Sequence, residues 1–157
     1  MVRSRVRSGS YPIYVLNGPN LNLLGRREPE IYGRQTLGEI ETAATTKARA
    51  LGWKLKFRQT NCEGTLVDWI HEASSHALAV VLNAGAYSHT SVALLDACRA
   101  LERPLVEVHL SNPFAREEFR RHSYVSAASD GLICGFGATG YLLALEAIAH
   151  LLKTQRT

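Results

Sequence analysis

Leu78–Asn83 reads LAVVLN, five apolar residues without a break and then an asparagine. A strand with one wet face alternates apolar with polar, whereas an unbroken run suits a strand covered on both faces. Working outward, four more segments have strand character: Pro12–Asn17 (PIYVLN), Trp53–Gln59 (WKLKFRQ), Pro104–Leu110 (PLVEVHL) and Gly131–Gly135 (GLICG). Three of the five are near-continuous apolar runs.

Helical patterns lie between them, at Leu37–Leu51, Thr65–His76, Thr90–Leu101 and Tyr141–Lys153. Thr36 and Glu39 have capping-box spacing ahead of the first, and Gly52 ends it. In the last, Leu142, Leu145, Ile148, Ala149 and Leu152 recur at helical spacing, so one face is buried. Strands alternating with helices imply a parallel sheet with right-handed crossovers. The expected fold is α/β: a flavodoxin-like three-layer sandwich. Its five-stranded parallel sheet would run in the order 2-1-3-4-5 with helices on both faces.

The 157 residues suit one domain, assigned to 11–157, with hydrophobic residues at 46% giving it a core. Residues 1–10 are set apart as a disordered basic arm. No apolar h-region follows that arm, so it does not read as a secretory signal. No apolar run reaches the roughly 18 residues that span a bilayer, so no membrane partner is expected. The net charge of +4 includes Arg3, Arg5 and Arg7 of the arm; those three leave +1 for the rest. A nearly neutral body offers no general surface for a phosphate backbone, so nucleic acid is not expected as a partner, despite an isoelectric point near 9.1. Cys62, Cys98 and Cys134 are odd in number and form no CxxC, which points to reduced thiols in the cytoplasm. His71, His76, His122 and His150 show no metal-ligand spacing, so no metal is expected.

Ligands of open parallel sheets bind beyond the carboxyl ends of the strands. Polar residues collect there: Asn17-Gly18-Pro19-Asn20, Asn83-Ala84-Gly85 with Ser88-His89-Thr90, and Glu107-Val108-His109-Leu110-Ser111. In the expected order these three clusters converge. Glu107 and His109 are two apart on a strand and share a face. A carboxylate beside an imidazole orients it and favours its protonated form, which suits a general acid. The same pair also fits two half-buried polar groups satisfying each other; the strand-end position favours function. Asn20 fits plain turn chemistry, or a carboxamide donor for an oxyanion. His89 and Thr90 stand at an expected helix start, where free N–H groups favour anions and where Ser88 fits as the cap.

Two connections are long, Gly18–Thr36 and Ser111–Asp130, as lids and binding loops often are. The first carries Arg26, Arg27, Glu28, Glu30, Tyr32 and Arg34; the second carries Arg116, Arg120, Arg121 and His122. An ordinary phenol is only ~0.1% ionised at neutral pH, and guanidinium groups nearby favour the phenolate a base would need.

Three stretches, LNGPNLNLLGRREPEIYG (Leu16–Gly33), LNAGAYSHTSVALLDA (Leu82–Ala97) and VEVHLSNPFAREEFRRHSY (Val106–Tyr124), closely resemble the type II 3-dehydroquinate dehydratases. Weaker matches lie at Asn61-Cys62-Glu63-Gly64 with Asp68-Trp69-Ile70-His71, and at Gly140-Tyr141. The likeness runs from about Tyr11 to His150. It implies reversible dehydration of 3-dehydroquinate to 3-dehydroshikimate through an enolate, in shikimate biosynthesis or quinate breakdown. It further implies no metal or organic cofactor and a dodecamer built from trimers. By the resemblance, Tyr32 is the base, Arg27 favours its phenolate, Asn20 stabilises the enolate, and His109 is the acid with Glu107 as its partner. Asn83, His89, Ser111 and Arg120 bind substrate, as do backbone groups of Gly85 and Leu110, and Asp96 reaches a neighbouring subunit's site. The chain departs from many relatives at Leu110, at Cys62 and in Gly135–Gly140, none of which removes a catalytic group.

A flavodoxin-like module binding FMN or a nucleotide is the rival reading. A phosphate cradle wants consecutive N–H donors, and Pro19 has none to give.

Overall fold

A computed structural model describes residues 11–154; the arm assigned to residues 1–10 lies outside the described residues. Five strands, β1 (Ile13–Asn17), β2 (Leu55–Gln59), β3 (Ala79–Asn83), β4 (Leu105–His109) and β5 (Gly131–Cys134), form one parallel sheet in the order β2-β1-β3-β4-β5. The helices are α1 (Pro29–Tyr32), α2 (Leu37–Ala50), α3 (Glu63–His76), α4 (Val92–Ala100) and α5 (Thr139–Thr154). Sheet order and helix alternation are as the sequence predicts.

The apolar runs explain the layers. β1, β3 and β4 are buried along their whole length. Successive side chains of a strand point to opposite faces, so Ile13 and Val15 join one core while Tyr14 and Leu16 join the other. The first core packs α2 and α5 through Ile40, Ala44, Leu145 and Ile148. The second packs α3 and α4 through Leu66, Ile70 and Leu94. Edge strand β2 is half-buried throughout, in keeping with its Lys56 and Arg58.

Local signals set the ends. Thr36 and Glu39 form the expected capping box, with Glu39 N donating to Thr36 Oγ1 at 3.2 Å and Thr36 N donating to Glu39 Oε2 at 2.7 Å. Gly52, with φ +82°, turns the chain out of α2. The expected start of α4 is corrected. Gly85–His89 form a 3-10 turn, and the helix begins at Val92 with Ser91 as its cap, Leu94 N donating to Ser91 Oγ at 2.9 Å. Ser88 therefore caps nothing. The N–H groups of Thr90 and Ser91 both donate to the Tyr87 carbonyl, so they are not free to hold an anion. Among the described residues, no helix is long and apolar enough to cross a membrane.

Candidate active site

The ends of β1, β3 and β4 are neighbours, and their polar residues open into one cleft. It holds about 700 Å³ of empty space, its open mouth included. Gly18 makes the floor possible. A Cβ there would lie 2.4 Å from the Ala84 carbonyl oxygen, so only glycine lets the ends of β1 and β3 come this close. Asn20 follows in the left-handed region, at φ +67°. Its N–H donates to Asn61 Oδ1 at 2.9 Å, and Asn61 is held in turn by Gln59 Nε2 at 3.1 Å and by Tyr87 Oη on its carbonyl at 2.7 Å.

One wall comes from β4. Glu107 is fully buried behind His109, whose Nε2 donates to Glu107 Oε1 at 2.7 Å. His109 itself lines the cleft. Burial would raise the Glu107 carboxyl, but the hydrogen bond and charge of His109, with donors from Ser126 and Ser123, outweigh it and hold the group below the usual carboxylate range. His89 stacks on His109 with ring centres 5.8 Å apart. The His122 carbonyl, 2.7 Å from His89 Nδ1, can only accept, so Nδ1 carries the hydrogen and Nε2 keeps a lone pair. Burial, with the nearby His109 and Arg120 charges, pushes His89 below the usual imidazole range despite the opposing hydrogen bond to His122.

Another part of the lining is the first long loop. Tyr32 ends α1, a single turn entered through Glu28 at φ +41° and left through Gly33 at φ +81°. Its phenol accepts a hydrogen bond from Arg116 Nη1 at 2.8 Å, and the Arg116 guanidinium lies 5.3 Å from the ring centre. Arg27 stands 6.0 Å from the same centre and pairs with Glu28 at 3.2 Å. Arg120 closes the rim, its Nε donating to Glu117 at 3.0 Å.

A family model described as dehydroquinase class II matches residues 11–149. The chain belongs to the class II dehydroquinases. It is 56% identical over 142 residues to a 3-dehydroquinate dehydratase of Caulobacter vibrioides, covering 90% of this chain and 97% of that one. The identity to the 3-dehydroquinate dehydratase of Streptomyces avermitilis is 54% over 157 residues, with 99% and 98% covered. The type II dehydroquinase of Propionibacterium acnes superposes with a TM-score of 0.86 at 48% identity, covering 90% of this chain and 97% of that chain.

In this class II dehydroquinase chain, ten residues singled out from sequence line the one cleft: Asn20, Arg27, Tyr32, Asn83, Gly85, His89, His109, Leu110, Ser111 and Arg120. Glu107 sits behind His109. Asp96 is exposed on α4 and absent from the lining of the chain's own cleft.

The parts played by Arg116 and Tyr141 escaped the sequence reading. Arg116 was one loop cation among several, and nothing local tells which guanidinium turns to Tyr32. Tyr141 read as the start of a helix. It is almost fully buried, its Oη donating to Asn17 Oδ1 at 2.6 Å and accepting from Asn83 Nδ2 at 2.9 Å. With Gly85 N donating to Asn83 Oδ1 at 3.2 Å, the Asn83 carboxamide is held at both ends. A buried tyrosine needs a partner for its hydroxyl, and the asparagines closing β1 and β3 were the visible candidates.

Proposed function

We propose that the chain dehydrates 3-dehydroquinate to 3-dehydroshikimate, reversibly and by anti elimination through an enolate, as a step of the shikimate pathway. One observation carries this reading. A phenol with a guanidinium on its oxygen and an imidazole with a buried carboxylate on its nitrogen line the same small cleft, in a chain of this family.

Elimination beside a ketone needs a base, a home for the enolate charge and an acid for the departing hydroxyl. Tyr32, as phenolate, takes the proton from the carbon next to the ketone. Arg116, donating to the phenol oxygen, and Arg27 beside the ring stabilise the anion that the base must present. The enolate oxygen is held by Asn20. His109, oriented by Glu107, then protonates the hydroxyl as its C–O bond breaks, and water leaves. The proton gained by Tyr32 and the one lost by His109 balance over the cycle through solvent. His89, neutral with a lone pair on Nε2, accepts from a substrate hydroxyl. Asn83, Ser111 and the backbone at Gly85 and Leu110 bind the other hydroxyls. Arg120 offers two parallel donors to the substrate carboxylate.

Assembly belongs to the same proposal: trimers within a dodecamer, in the cytoplasm. Asp96, exposed on α4, supports a role in a neighbouring subunit's site. Phe114, Phe119 and Phe136 are more than half exposed, and apolar surface of that kind favours burial against another copy.

The test is the appearance of the conjugated-ketone absorbance when 3-dehydroquinate is added to the purified full chain. Turnover is expected. Folded, assembled protein without turnover ends this reading.

A further inference from the structure

Glu107 takes more donors than its imidazole supplies. Oε1 accepts from His109 Nε2 at 2.7 Å and from Ser123 Oγ at 2.7 Å; Oε2 accepts from Ser126 Oγ. The two hydroxyls are set by one turn, in which Ser126 N donates to Ser123 Oγ at 3.1 Å and Ser129 Oγ donates to the Ser126 carbonyl at 3.2 Å. Neither serine lines the substrate cleft. Both line a second cavity that shares His109 with the cleft, together with Phe114, His122 and Leu132.

Two arrangements of one proton compete in such a pair. It sits on the imidazole beside a carboxylate, or on the carboxyl beside a neutral imidazole. In a buried site the uncharged arrangement gains, because it avoids two desolvated charges. Hydroxyl donors at Glu107 favour only the arrangement in which the carboxylate is ionised. The other groups facing the pair do not replace them. Cys98 of α4 is held up at about 12 by burial and then by Glu107, and Cys134 of β5 is raised for the same reasons, so both stay neutral thiols. His89, stacked on His109, is kept neutral by burial, and Arg120 is paired with Glu117.

We propose that Ser123 and Ser126 are positioning residues: their hydroxyls hold Glu107 as the anion and so keep the transferable proton on His109. This rests on the reading of His109 as the acid of the dehydration.

The experiment replaces the hydroxyls in the full chain, as Ser123→Ala, Ser126→Ala and both together, with Ser126→Thr as the restoring variant. Each is followed by the pH profile of kcat on 3-dehydroquinate and by the 15N signals of the His109 ring. Below the alkaline limb, the parent shows an imidazolium ring. Each hydroxyl lost moves the proton balance toward the carboxyl by about tenfold. In the double variant the ring signal becomes that of neutral imidazole, and the plateau of kcat falls at least about tenfold, with KM little changed. The alkaline limb does not move to lower pH, since the pair still holds its proton, now on Glu107. Ser126→Thr returns both readouts toward the parent. A folded double variant with the parent's ring signal and plateau overturns the proposal. So does a parent ring that is neutral throughout. If the double variant fails to fold, the same two readouts on the single variants decide. The ring signal needs no turnover, so it judges this proposal even where the parent fails to dehydrate 3-dehydroquinate.

Discussion

Arg116 Nη1 donates to the Tyr32 hydroxyl at 2.8 Å, joining two loops 84 residues apart in the chain. Arg116 also reaches Ser111 Oγ at 3.4 Å, so one guanidinium ties the end of β4 to the first loop's phenol. Both contacts leave the one Nη1 nitrogen, which sits at the end of a planar, always-charged group; a lysine ammonium is a more strongly hydrated point charge on a flexible stem. Arg116→Ala is expected to lower kcat about 100-fold or more, the usual loss for one donor aimed at developing charge. Arg116→Lys should recover only part of it. Steady-state kinetics decides, and a near-parent kcat in Arg116→Ala removes this residue from the base's support.

Gly18 sets the floor of the cleft by its lack of a side chain. Gly18→Ala would drive a Cβ into the Ala84 carbonyl, which is backbone and cannot swing aside. The ends of β1 and β3 must then separate, at about 1–3 kcal/mol, as for overpacking elsewhere. Activity should fall further than stability, because Asn20 and Gly85 move apart with those ends. Denaturant unfolding and kcat/KM measured on the same variant check the split; unchanged kcat/KM would contradict it.

Tyr141→Phe removes a hydroxyl that serves two buried carboxamides. Asn17 loses a donor and Asn83 an acceptor, each leaving an unsatisfied buried group at about 1–3 kcal/mol. The variant should unfold earlier in denaturant. It should also raise KM more than it lowers kcat, since Asn83 is free to turn away from the cleft. A KM equal to the parent's would show that Asn83 needs no such hold.

Glu72 gives a pH-dependent stability. Its carboxylate accepts from Arg58 Nη1 at 2.8 Å, Lys56 Nζ at 2.6 Å and Tyr14 Oη at 2.7 Å, tying edge strand β2 to α3. Arg58 first, then Lys56 and Tyr14, hold its carboxyl down to about 2, against an ordinary 4.5. A depressed carboxyl stabilises the fold above its unfolded value, and that stability is lost as pH falls toward the folded one. The stability gap between parent and Glu72→Gln should therefore be full above pH 4.5 and close as pH falls toward 2. Chemical denaturation across that window measures it, and a gap independent of pH would contradict it.

The sheet was legible because LAVVLN and PIYVLN admit few other readings, and burial of β1 and β3 on both faces follows from those runs. Glu107 and His109 were legible for the same reason, since strand alternation alone puts them on one face. The start of α4 was not, because 3-10 and α-helical turns share their residue preferences and Ser88 and Ser91 are equally good caps on paper. Arg116, Ser123 and Ser126 escaped because they sit on the second long loop. Their partners, Tyr32 and Glu107, are fixed by how that loop returns over the sheet, which no local spacing encodes. Asp96, named by resemblance alone, is exposed on α4 and apart from the lining of its own chain's cleft.

In the proposed mechanism a phenolate and an imidazolium divide one elimination between them. Exchange of the substrate hydrogen beside the ketone with deuterated solvent separates the two roles. His109→Ala should still exchange that hydrogen while releasing almost no water, and Tyr32→Phe should do neither while binding the substrate as before. Exchange by Tyr32→Phe at the parent's rate would contradict the account.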